Sequence, residues 1–297
     1  MSDSEPRRFL LAIDGSVHAD RAAEYLVRNA PALAVGEVIV LYVQALGEYE
    51  TYTAQGEKLV RTVTELSMQA TAVARRLLGA ANLPYRLMSE LGDPAHVIVR
   101  AAETEGVHEI VIGRHGTSKM ASLILGSVAY KVIHGSALPV TVVGPPPDAA
   151  GPPPSGPSVA HRVLLPCDGS EQAARAVDYV CGLGHAPVPL EVDLFHAPSP
   201  VPSATFPSQE MMDAHYREQG EPVLRAAEDA LRSAGLKFNV HLAPGHPAEK
   251  IVEAAEREDY CRIVMGTRGL GAVANLFLGS VAYRVVHLSP IPVTLVK

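Results

Sequence analysis

The residues best suited to chemistry fall in two segments, "GRHGTSKMASLILGS" (113–127) and "GTRGLGAVANLFLGS" (266–280). Each has the spacing G-x2-G-x9-G-S: Gly113, Gly116, Gly126 and Ser127 in the first, Gly266, Gly269, Gly279 and Ser280 in the second. Glycine admits left-handed backbone and lets N–H groups approach an oxyanion closely. A helix opening on Gly-Ser adds unpaired N–H donors, a positive dipole end and a hydroxyl. Together these are the parts of a phosphate cradle, with no evident catalytic base beside it. A tight turn and a plain N-cap would use the same residues, but recurrence at identical spacing favours the cradle.

Two aspartates, Asp14 in "AIDGS" and Asp168 in "PCDGS", follow apolar runs and precede Gly-Ser. Each suits a ligand contact, or simply opens a turn whose serine caps the next helix. Cys167 beside Asp168 would be a redox handle only if exposed; a buried strand-end thiol is the ordinary alternative. The three cysteines form no CxxC pair, and the histidines, His115 and His246 among them, lack the spacing of a zinc site. "GLGAVA" (269–274) satisfies GxGxxA but falls late in its repeat, and no GxxxxGK[ST] occurs.

The elements that must position these residues occur twice. Residues 107–143 and 260–296 match without a gap at about half their positions, and "GDPAHVIVRAAE" (92–103) matches "GHPAEKIVEAAE" (245–256). Between the copies runs "GPPPDAAGPPPSGP" (144–157), expected to be extended and semi-rigid. This predicts domains at 1–145 and 159–297 with a linker at 146–158. In the first copy the patterns predict strands at 8–14, 37–43, 85–90, 109–113 and 139–143. Helices are expected at 17–33, 57–79, 94–105 and 126–136. The apolar runs do not alternate, as in strands buried on both faces. Each copy should therefore be an α/β domain with a doubly wound, five-stranded parallel sheet. Ligands of such sheets sit beyond the strands' carboxyl ends, where strand order reverses. The second copy adds a polar, proline-bearing insert at 197–210.

The glycine signature, its preceding apolar strand and the following "VAYKVIHGSALPVTVV", with the opening "AIDGS" and "PCDGS", resemble the universal stress protein family in tandem form. The resemblance implies the adenine nucleotide alpha hydrolase-like fold and ATP binding, with magnesium as the accompanying ion where a metal is present. Carried over, it puts the phosphates against Gly113, Gly116, Gly126 and Ser127, with Arg114 and His115 in the loop and Val128 inside the helix. Asp14 would lie near the ribose or a phosphate-bound metal, and the backbone of Val43 would read the adenine edge. The second-copy counterparts are Asp168, His196, Gly266, Thr267, Arg268, Gly269, Gly279, Ser280 and Val281. His196 stands where the first copy has valine, and Thr267-Arg268 replaces Arg114-His115, so the two sites would differ in loop charge. In the family the last strands pair across a two-fold axis. "PVTVV" and "PVTLV" are thus expected to pair as an intrachain pseudo-dimer, with a homodimer as a further expectation.

Composition narrows the classes. The 297 residues suffice for two domains of about 150 residues, and 47% hydrophobic against 19% charged residues excludes a disordered chain. With no tryptophan and 5% aromatics, the cores must be aliphatic. A net charge of −7 argues against nucleic acid or an anionic membrane surface. The short apolar run before Asp14 and the absence of a long uncharged span predict a soluble, cytoplasmic protein. The expected function is that of an ATP-binding regulator acting in stress response on an unknown protein partner. The alternatives are a slow metal-dependent ATPase using Asp14 or Asp168, and a nucleotide-independent dimeric scaffold.

Overall fold

The computed structural model describes residues 6–45, 56–116, 125–144, 161–201, 208–270 and 278–297. The expected linker, the middles of both glycine segments (117–124 and 271–277) and 202–207 of the insert lie outside these residues. The chain divides into two compact units, Met1–Pro145 and Pro146–Lys297.

In the first unit β1 (Arg7–Ile13) leads to α1 (Val17–Leu33), β2 (Val35–Gln44), α2 (Gly56–Ala70) and α3 (Ala72–Ala80). Then follow β3 (Tyr85–Leu91), α4 (Pro94–Thr104), β4 (Glu109–Gly113), α5 (Ser127–Gly135) and β5 (Val140–Val143). The strands are parallel, in the order β3-β2-β1-β4-β5. Alternation along each strand splits the core between two faces. Phe9, Leu11 and Ile13 join Val38, Val40, Val111 and the inner sides of α1 and α3 in one cluster. Leu10, Ile39 and Ile110, equally buried, belong to the other face, and α4 and α5 pack on each other.

The second unit repeats the plan with β6 (His161–Pro166), α6 (Glu171–Gly182), β7 (Leu190–His196), α7 (Gln209–Ser233) and β8 (Lys237–Leu242). It ends with α8 (Pro247–Arg257), β9 (Arg262–Gly266), α9 (Ser280–Leu288) and β10 (Val293–Val296). Its parallel strands run β10-β9-β6-β7-β8. Burial on both faces holds for the inner strands but not for β3 and β8, whose residues are exposed or half-buried because they close one side of each sheet.

Two local departures from expectation have clear causes. The single helix expected at 57–79 breaks at Thr71, whose hydroxyl donates to the Ser67 carbonyl (2.7 Å) while its backbone sits at φ −89°, ψ 0°. In the second unit, Asp193 occupies the middle of β7 at 1% exposure, where strand register puts Ile39 in the first unit. It accepts from Tyr260 Oη (2.7 Å) and Asn239 Nδ2 (2.9 Å) and pairs with Arg162, which also pairs with Glu258. Burial pushes this carboxyl up, but those hydrogen bonds and the Arg162 and His241 charges outweigh it, holding the group below its ordinary value.

Candidate functional site

Strand order reverses between β1 and β4 in the first unit and between β6 and β9 in the second. The residues just beyond these strands are Asp14-Gly15-Ser16 with Gly113–Gly116, and Asp168-Gly169-Ser170 with Gly266–Gly269. Gly15 and Gly169 take φ +80° and +79°, a left-handed turn that only glycine makes without strain. The turn aims each serine at the next helix, where Ser16 Oγ and Ser170 Oγ accept from Ala19 and Ala173 N–H, both at 3.2 Å. The aspartates brace the same turns: Ser16 N–H donates to Asp14 Oδ1 (2.9 Å) and Ser170 N–H to Asp168 Oδ1 (3.0 Å). Asp168 also accepts from Leu270 N–H (3.1 Å), tying the second glycine segment to the first strand of its sheet.

None of the six signature glycines has a left-handed φ, contrary to the conformational freedom expected of them; close approach is what they supply. A Cβ on Gly113 would lie 2.8 Å from the His18 carbonyl carbon, and one on Gly266 2.7 Å from that of Gln172. On Gly116 it would fall 2.6 Å from Asp14 Oδ2, and on Gly269 closer still to Asp168 Oδ2. Gly126 and Gly279 donate to the Arg114 and Thr267 carbonyls (2.9 and 2.8 Å), folding each segment back so that a helix start stands over its turn. Both are N-caps, and no side chain caps α5 or α9. The first N–H groups of these helices, on Ser127, Val128 and Ala129 and on Ser280, Val281 and Ala282, have no intrahelical acceptor. They form two positive, donor-rich ends.

In the second unit these parts surround a cleft of about 530 Å³. Of its nine residues expected at the site, eight line the cleft: Asp168, His196, Gly266, Arg268, Gly269, Gly279, Ser280 and Val281. The ninth, Thr267, is 2% exposed and is absent from the lining. Apolar walls come from Phe195, Ile251 and Met265, which carry no motif and were not singled out by sequence. Cys167 also lines the cleft, but burial, with Asp168 beside it, pushes its thiol up, away from a reactive thiolate.

Strand register corrects the repeat alignment by one residue. Ala12 pairs with Leu41 and its counterpart Pro166 with Phe195, so His196 corresponds to Tyr42, and Ala197 to Val43. The backbone contacts agree: Gly92 N–H donates to Gln44 O, and its counterpart Gly245 N–H to Pro198 O. The His196 ring turns inward, its Nδ1 2.8 Å from the Cys167 carbonyl oxygen, and both His196 and Ala197 line the cleft.

In the first unit Asp14, His115 and Gly116 meet at the switch point, and Ser16 Oγ donates to the His115 carbonyl (3.4 Å). Arg114 departs from the expected loop position. Its guanidinium packs where a Cβ on Gly144 would fall 2.9 Å from Cζ, and burial lowers its pKa. The counterpart of His115 is Arg268, which lines its cleft. His18, not anticipated from sequence, stands beside His115 with ring centroids 5.1 Å apart. Among the described residues no group of three or more His, Cys, Asp or Glu could hold a metal, and no helix is long and apolar enough to cross a membrane.

Two doubly wound α/β units, each with a donor-rich switch point, define the class. The family model for the universal stress proteins matches residues 5–144 and 160–297, and the chain belongs to that family, as a tandem repeat. A universal stress protein of Thermus aquaticus is 36% identical over 136 residues, covering 46% of this chain and 97% of its own. Rv2005c of Mycobacterium tuberculosis, also a universal stress protein, is 24% identical over 319 aligned residues and 99% of both chains. A crystal structure of a universal stress protein from Archaeoglobus fulgidus superposes with a TM-score of 0.70 at 25% identity, again over 99% of both chains. Membership of the family supports a role in stress response.

Proposed function

We propose that each unit binds ATP at its switch point and that nucleotide occupancy regulates the protein's part in the stress response. The observation that carries this is the 530 Å³ cleft of the second unit, which gathers eight separately expected residues beneath an uncapped helix end. Its chemistry suits the group: backbone donors and Arg268 for phosphates, apolar walls at Phe195, Ile251 and Met265 for a base. In the first unit Gly113, Gly116, Gly126, Ser127 and Val128 take the phosphate role, with Asp14 toward the ribose and Val43 toward the base. ATP, bound, would supply a polyphosphate whose charge and length the cleft reports to a partner protein. Any magnesium would arrive with the nucleotide.

Regulation is preferred to hydrolysis because Asp168, the second unit's nearest carboxylate, is engaged by two backbone N–H groups and is not set up as a base. A slow ATPase would instead lose turnover, and keep binding, in Asp14→Ala and Asp168→Ala variants. We further place the domains at 1–145 and 159–297 around a linker at 146–158, in a cytoplasmic protein. The apolar last strands are proposed as pairing surfaces within the chain; separately expressed fragments that stay independent in solution would sink that pairing.

The test is to purify the chain without added nucleotide, denature it, and identify and count the released small molecules by mass spectrometry. ATP or ADP near two per chain is expected. If nothing is released and an ATP titration shows no binding, the nucleotide assignment is wrong and a scaffold role replaces it.

A further inference from the structure

The two switch points differ in one respect that neither the glycine spacing nor the aspartates reveal. In the first unit His18, on the opening turn of α1, packs against the site: a Cβ on Gly113 would meet its carbonyl carbon at 2.8 Å and its own Cβ at 2.9 Å. Its ring meets that of His115 edge-on, with centroids 5.1 Å apart. Among the described residues, His18 Nδ1 is buried without a hydrogen-bond partner. The charged groups facing it are Asp14 from the end of β1, Arg21 from α1, and Arg114 with His115 from the turn after β4. In the second unit the same two places hold Gln172, against Gly266, and Arg268, in the cleft. One unit thus offers two titratable imidazoles where the other offers a neutral amide and a permanent cation.

Building on the nucleotide assignment above, we propose that the first unit's switch point takes up a proton when it takes up a polyphosphate nucleotide, through His18 where it packs on His115, whereas the second unit's cleft does not. The sign follows from the surroundings. Burial, then His115, Arg21 and Arg114, holds the His18 pKa below its ordinary value, with Asp14 opposing, so the ring is mainly neutral at pH 7 without ligand. A polyanion against the His18 ring favours its charged form, so the bound pKa exceeds the free one. The added affinity is therefore full below the free-state pKa and is lost as pH rises through the bound-state pKa. A rise of about one pKa unit at one ring tightens binding about three- to sixfold between pH 8 and pH 6, the full gain of about tenfold being reached only below the lowered free-state pKa. Arg268 keeps its charge throughout that range, so the second site has no such gain.

The direct test is a histidine-selective NMR titration of the full chain, with and without ATP, the His18 and His115 signals being assigned from His18→Gln and His115→Arg variants. The His18 ring should titrate at higher pH with ATP present. Calorimetry should show the first site tightening about three- to sixfold from pH 8 to pH 6, with that gain gone in the double variant. If ATP binds but leaves the titration of His18 unmoved, proton coupling is overturned while nucleotide binding stands. Failure of ATP to bind at any pH overturns both. The wild-type titration does not depend on the variants' folding, since the two signals can also be assigned by through-bond experiments.

Discussion

Replacing Gly279 by valine, and Gly126 likewise, tests the cradle where its geometry is most explicit. A Cβ on Gly279 would stand 3.3 Å from Arg268 Cα and 3.4 Å from the Thr267 carbonyl oxygen, in the gap between the start of α9 and the turn beneath it. On Gly126 the corresponding distances are tighter, 3.0 Å to the Arg114 carbonyl oxygen and 3.3 Å to His115 Cα. Both residues have negative φ, −68° and −57°, so a side chain adds no left-handed strain. The folding cost is then the loss of a favourable N-cap plus local crowding, about 1 kcal/mol at 279 and about 2 kcal/mol at 126. The binding cost is larger. Branched methyls there would separate a phosphate from two helix N–H donors, each worth about 1.5–3 kcal/mol to a charged acceptor. Together that is about 3–6 kcal/mol, or a loss of 10²–10⁴ in Kd. Equilibrium dialysis with labelled ATP, alongside urea unfolding, measures both. A double variant that folds and binds ATP as tightly as the parent would refute the cradle.

Asp193→Ala should cost about 3–5 kcal/mol in urea unfolding, because Arg162, Tyr260 and Asn239 would lose the buried carboxylate they converge on. The same carboxyl gives a pH signature. Its pKa is lowered by folding, so its contribution is full above the unfolded value near 3.8 and fades as pH falls through the lower folded value. Below about pH 4 the parent should thus lose more stability than Asp193→Asn; parallel melting curves for the two would contradict this. Ser16→Ala and Ser170→Ala each remove a helix cap and should cost about 1 kcal/mol in the same assay.

The order of elements was legible because it rests on local signals. Apolar runs such as "EIVIG" can be buried only as inner strands, and Gly-Ser or Asp-Pro pairs mark where helices open. The switch point followed from that order, so Asp14, Asp168 and the glycines were found together. What escaped depends on contacts between distant parts of the chain. Thr71 breaks a helix with no glycine or proline to announce it, because its hydroxyl finds the Ser67 carbonyl. Asp193 looks misplaced in "LEVDLFH" until Arg162, Tyr260 and Asn239 converge on it from three other segments. Val43 and His196 fall one residue out of register because the ends of β2 and β7 carry no glycine or aspartate to anchor an alignment; strand pairing and the Gly92 and Gly245 hydrogen bonds fix it. His18 escaped because its significance lies in His115, on the other side of the switch point.

The glycines themselves call for two explanations, not one. Gly113 and Gly266 are required by the helix backbone that crosses them, whereas at Gly116 and Gly269 the close neighbour is an aspartate carboxylate oxygen, which can turn aside. Gly113 and Gly266 would be needed even in a protein that bound nothing, so their presence alone does not argue for phosphate. Gly126 and Gly279 differ. Serine or aspartate would satisfy a helix start at those places, as Ser16, Asp93 and Ser170 do elsewhere in the chain. Instead both helices begin on glycine, with no side chain on their first N–H groups and, in the second unit, a cleft in front of them. Side-chain oxygens cap α1, α4, α6 and α7, whereas α3, α5, α8 and α9 have no such cap, and of the last group α9 sets its opening residues Gly279–Ala282 against the cleft. If Gly279→Ser restored a side-chain cap, the variant should gain stability and lose ATP affinity together. A gain in stability with affinity unchanged would mean that the open helix end serves no ligand.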